Sequence, residues 1–110
     1  MSRGLEAVYK LQKIDDRKAI YAYSGDDFSF TYDRDKSLAY DGRIEVLLSV
    51  FENEFSYDLF MLGEVKVTKD CYHAQNNNDG IDILALFTIR NIYRKYKETN
   101  EIPLEGHWIV

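Results

Sequence analysis

A chain of 110 residues, 45% hydrophobic with a formal net charge of −5, is long enough for one modest core and too apolar for intrinsic disorder. No apolar run approaches the roughly 18 residues that span a bilayer, and net negative charge opposes a nucleic-acid backbone, so neither membrane nor nucleic acid is an expected partner. A lone cysteine, Cys71, leaves no internal disulfide, and Met1-Ser2-Arg3-Gly4 leads into no apolar secretion signal, so a single cytoplasmic domain over residues 1–110 is expected.

Period two governs the first two thirds of the chain. Leu5, Ala7, Tyr9 and Leu11 share one strand face, and Asp15-Asp16-Arg17 reads as a turn because aspartate side chains bond nearby backbone. Ala19, Tyr21 and Tyr23 form the next strand face, and Gly25-Asp26-Asp27 reads as a second turn. Phe28, Phe30 and Tyr32 then alternate with Ser29, Thr31 and Asp33 as a third strand. From Arg43 to Phe51 two patterns compete. Ile44, Val46, Leu48 and Val50 fit a strand, whereas Ile44, Leu47, Leu48, Phe51 and Phe55 fit a helix. Asp41-Gly42 as a hairpin dipeptide, and the alternation of Phe55, Tyr57, Leu59 and Met61 after Glu52-Asn53-Glu54, favour the strand. Gly63 marks a bend before Val65 and Val67.

After Lys69 the pattern changes. Asp70 to Gly80 is a polar loop, and Ile81 to Lys97 places Ala85, Ile89, Ile92, Tyr93 and Tyr96 on one helical face. Asp79 is the predicted N-cap, Arg94, Lys95 and Lys97 complement the C-terminal dipole, and Pro103 stops the helix. His107 to Val110 adds a short edge strand. The predicted fold class is α+β: an antiparallel meander of about five strands with one long C-terminal helix packed on one face.

Motifs for chemistry fail on inspection. Asp33-Arg34-Asp35-Lys36-Ser37 opens like a calcium loop, but the sixth position is Leu38 and the twelfth Ile44, where glycine and glutamate are needed. Cys71 and His73 are two residues apart, yet the only other histidine is His107, too few ligands for zinc, and a free cysteine is ordinarily a buried hydrophobe. The acid pairs Asp15-Asp16 and Asp26-Asp27 fall in predicted turns, where water keeps carboxylates unperturbed. The six glycines are scattered singly, so no phosphate cradle forms. Arg90, Arg94, Lys95 and Lys97, interleaved with Tyr93 and Tyr96, read as compensation for the helix end. No catalytic group, metal site or cofactor is expected.

What stands out is charge. Asp26, Asp27, Asp33, Asp35, Asp41, Glu45, Glu52, Glu54 and Asp58 face only Arg34, Lys36 and Arg43 over the same stretch, leaving the remainder of the chain close to neutral. Carboxylates beside aromatics suit a basic protein surface, because aromatics supply contact energy and charges steer encounter. The expectation is a small acidic protein-binding module rather than an enzyme, with Asp26, Asp27, Phe28, Glu52, Glu54, Tyr57 and Asp58 as partner-binding residues. In size and charge it is similar to inhibitors and immunity-type proteins that neutralise basic toxin nucleases, with no family motif in common. A homo-oligomeric scaffold and a small ligand-binding domain or enzyme with a sheet–helix pocket are the alternatives.

Overall fold

The computed structural model describes residues 4–27 and 38–109. Strands β1 (Leu5–Ile14), β2 (Lys18–Asp27), β3 (Gly42–Leu47) and β4 (Val65–Lys69) pair antiparallel in sequence order. Strand β5 (Glu105–Ile109) returns beside β1, giving the order β4-β3-β2-β1-β5. Between β3 and β4 the chain makes a 3-10 turn (Leu48–Glu52) and a one-turn helix α1 (Asp58–Met61), and the long helix α2 (Ile83–Thr99) precedes β5. Helix α2 packs against β1, β2 and β5, so the observed architecture is the expected α+β sheet with one long helix on one face.

Alternation along the strands supplies the core. Ala7, Tyr9, Ala19, Tyr21, Tyr23, Ile44, Val46, Val65 and Trp108 are all buried beneath the helix layer, where they meet Leu84, Ala85, Ile89 and Ile92. Each large side chain removed from water in this way contributes about 1.5–3 kcal/mol. The buried tyrosines have a specific reason to be tyrosines. Tyr9 lies opposite Gly106 and Tyr23 opposite Gly42, and a Cβ at either glycine would run into the facing ring. The bare backbone lets each ring lie across its neighbour strand. Its hydroxyl then reaches the far layer: Tyr9 donates to Asn91 Oδ1 at 2.6 Å, Tyr21 to the Pro103 carbonyl at 2.6 Å and Tyr23 to Asp82 Oδ2 at 2.5 Å. Three hydroxyls thereby fix the start of α2, its middle and the segment that follows it.

Several local expectations hold. Asp15 Oδ1 accepts from the Arg17 and Lys18 amides at 2.8 and 2.9 Å and closes the β1–β2 turn. Gly63 takes a positive φ of 80° where the chain leaves α1 for β4. Others are corrected. The Arg43–Phe51 segment is strand only as far as Leu47 and then 3-10, with Val50 and Phe51 both turned inward. Phe55 to Met61 is not a strand. Consecutive Leu59 and Phe60 are buried in a helical turn, which period two does not allow. Gly25-Asp26-Asp27 is not a turn but the end of β2, paired with Ala7, Glu6 and Leu5. Gly25 is needed because a Cβ there would strike the Glu6 carbonyl and Ala7. Asp41-Gly42 is no tight hairpin, since β2 ends at Asp27 and β3 begins at Gly42. The N-cap is Asp82 rather than Asp79, with its side chain accepting from Leu84 N. Tyr93 and Tyr96 are half-buried against Phe55 and Phe51 instead of the sheet, and Lys95 is half-buried with its ammonium 6.0 Å from the Tyr9 ring. The strand predicted from Phe28 to Asp33 and the Asp33–Ser37 loop lie outside the described residues.

Candidate functional site

The acidic residues singled out in the sequence divide between two ends of the sheet. Tyr23 pairs with Gly42, so Asp26 and Asp41 share the end where β2 finishes and β3 starts. Lys18 pairs with Leu47, and Leu48 N donates to the Arg17 carbonyl at 2.8 Å, so the chain leaves for Glu52 and Glu54 from the opposite end. The expected grouping of Asp26 and Asp27 with Glu52 and Glu54 therefore does not form. Asp26 is buried, 1% exposed, with Oδ1 3.6 Å from His73 Nδ1. It is a structural carboxylate and not a surface one. Asp27 pairs with Leu5 through its backbone, and Phe28 lies outside the described residues.

Glu52, Glu54, Tyr57 and Asp58 remain together on the strap between the 3-10 turn and α1. The three carboxylates are exposed, and no ion pair among the described residues neutralises them. The strap is tied down from several sides. Tyr93 on α2 donates its hydroxyl to the Asn53 carbonyl, and Asn53 Nδ2 donates to the Ser49 carbonyl at 2.9 Å. Phe55 packs on Tyr93 with ring centroids 5.6 Å apart. Tyr57 donates to Asp79 Oδ2 at 2.6 Å and accepts from Asn77 Nδ2 at 3.0 Å; the bond to Asp79 raises its pKa. Met61 and Leu62 follow immediately, 54% and 69% exposed. The result is a fixed acidic ridge with an apolar end.

A second polar group is interior. Asp82 Oδ1 accepts from the Gln75 and Leu84 amides at 2.9 and 3.0 Å, and Oδ2 takes the Tyr23 hydroxyl and lies 3.7 Å from Cys71 Sγ. Burial raises the Asp82 pKa, while the Tyr23 hydroxyl and the two amides oppose the rise. Burial, followed by the charges of Asp82 and Asp41, pushes the Cys71 thiol well above its ordinary value. Such a thiol stays protonated at neutral pH and is a poor nucleophile. Cys71 thus packs against the Asp82 cap, whereas His73 faces Asp26 at the end of β2. Among the described residues, no three histidine, cysteine or acidic side chains converge as a metal site.

The basic residues of α2 separate as well. Lys95 and Lys97 sit over the rings of Tyr9 and Tyr93, whereas Arg90 and Arg94 border a groove of about 460 Å3 where α2 meets β5 and Phe55 of the strap. Sequence reasoning passed over this groove, because cations late in a helix already have a dipole explanation. It also missed the Tyr23–Asp82 pair, whose members are 59 residues apart. The only advance signal for that pair was a run of buried-face tyrosines ahead of a capping aspartate. No protein-family model, curated protein or solved structure matches the chain.

Proposed function

We propose that this chain is a protein-binding module of the inhibitor or immunity type, and that its strap from Glu52 to Asp58 receives a basic surface of the partner. One observation carries the reading: Glu52, Glu54 and Asp58 are exposed and without ion pairs among the described residues, on a segment whose backbone and aromatic side chains are already fixed. Prefixed groups lose little entropy on binding, and Phe55, Tyr57, Met61 and Leu62 supply adjacent contact area. Wild-type protein and a Glu52→Lys/Glu54→Lys/Asp58→Lys variant, used side by side as baits, test it. A basic protein retained by the first and lost by the second, and then bound directly after purification, supports the strap; equal retention by both removes it.

Self-association through the β5 edge is a second reading, favoured by Ile109 and Leu104, 48% and 72% exposed beside that edge. Native mass spectrometry of the wild type and an Ile109→Lys variant decides it. A dimer abolished by the variant supports the edge, and a monomeric wild type removes it.

A further inference from the structure

The groove between α2 and β5 is lined by two aromatic pairs, Phe55 with Tyr93 and Phe87 with the largely buried Trp108, each pair with centroids 5.6 Å apart. Arg90 and Arg94 line the same groove on successive helical turns, with the Arg90 guanidinium 5.4 Å from the Phe87 ring. We infer that this groove binds a small planar organic anion, an aromatic ring bearing a carboxylate or a phosphate, its ring against Phe87 and Trp108 and its charge on Arg90 and Arg94.

Four observations converge on that ligand. Both arginines are exposed and form no ion pair among the described residues, although the chain has 19 acids to offer. Arg90 stands more than two turns before the helix end at Thr99, beyond the last turn in which the dipole would reward a cation. Residues four apart on a helix are neighbours, so the two guanidiniums present adjacent donor forks suited to one carboxylate or phosphate. The volume lies in the range of small-molecule sites, and aromatic walls beside a few placed charges are the usual lining of such sites. Size is decided by the field: a chain of net charge −5 repels a long polyanion but not a single charge delivered into a local pair of cations.

Trp108 is the only tryptophan and lines the groove, so its indole reports occupancy directly. Naphthoate, naphthyl phosphate and the neutral naphthylmethanol are titrated while Trp108 fluorescence and its indole N–H resonance are followed. Saturable shifts are expected with the anions, and about tenfold or weaker binding with the neutral analogue, the value of one charge-assisted contact. If only one of the two anions binds, that result names the head group. An Arg90→Gln/Arg94→Gln variant, whose changes are at exposed positions, should lose this preference and bind anion and alcohol alike. No saturable shift with either anion, equal binding of the alcohol by wild type, or an unaltered preference in the variant would overturn the inference. The strap variant Glu52→Lys/Glu54→Lys should keep anion binding, which separates this site from the protein-docking reading.

Discussion

Tyr23→Phe removes one oxygen from the interior and leaves the ring in place. The lost hydroxyl is the sole oxygen or nitrogen donor to Asp82 Oδ2 among the described residues; only the Cys71 thiol, 3.7 Å away, remains near it. A hydrogen bond to a charged group is worth about 1.5–3 kcal/mol, and the acceptor left behind stays buried. For a domain of this size each kcal/mol lowers Tm by about 4 °C, so the expected fall is about 6–12 °C. Tyr9→Phe gives the internal comparison. Its acceptor is the neutral Asn91 amide, and the loss should be nearer 1 kcal/mol. The Tyr23 deficit should also depend on pH. Burial already raises the Asp82 pKa above its ordinary value, and the Tyr23 hydroxyl holds it down. The folded state therefore binds the Asp82 proton more tightly than the unfolded state does. Stability from this group is fully present below the ordinary carboxylate range and is lost as pH rises through the raised pKa. Removing the hydroxyl raises that pKa further, so the variant's deficit should be largest at neutral pH and shrink towards acid. Urea melts across that range measure it. A Tyr23→Phe protein within about 0.5 kcal/mol of wild type at neutral pH, or a deficit that does not change with pH, would refute the reasoning.

Alkali should unfold the domain by a related route. Burial pushes Tyr9 up to about 12, partly opposed by Arg94, and pushes Tyr21 and Tyr23 up as well, so the folded state holds these protons more tightly. The tyrosines' contribution to stability is constant below the ordinary value of 10.0 and falls above it, by about 3 kcal/mol for Tyr9 alone once pH passes its raised value; tyrosinate absorbance should rise together with loss of ellipticity, and full ionisation of a still-folded protein would contradict this. Gly106→Ala drives a methyl into the Tyr9 ring and should cost about 1–3 kcal/mol in denaturant melts, as overpacking does. Ile92→Ala empties a fully buried site beneath α2 and should cost roughly 2–5 kcal/mol by the same melts; a value within error of wild type would take this helix face out of the core.

Legibility in the sequence followed the range of the interactions. Tyr9, Tyr21 and Tyr23 alternate because a strand alternates, and Ala85, Ile89 and Ile92 recur because a helix does, so β1, most of β2 and α2 could be placed from local period alone. Gly25-Asp26-Asp27 was misleading because a glycine that makes a turn and a glycine that admits a neighbouring strand look the same. What distinguishes them is Glu6 and Ala7, far away in the chain. Asp79 reads as the cap when the helix is started at Ile81, and the cap is instead Asp82, around which Tyr23, Cys71 and Gln75 gather. The acid cluster was visible as composition but not as a surface. Strand direction sends Asp26 inward at one end and the Glu52–Asp58 strap out from the other.

The strap is tested most directly by the association rate of the purified basic partner with wild-type protein and with Glu52→Lys/Glu54→Lys/Asp58→Lys. Raising ionic strength from about 0.01 to about 0.15 M shortens the screening length from about 30 to about 8 Å, which suppresses steering by exposed charges. Wild-type association should slow steeply over that range, and the variant should start slower and change little, with both proteins equally stable because exposed charges contribute little to folding. Association rates equal for the two proteins and flat in salt would contradict a partner-docking role for the acidic strap.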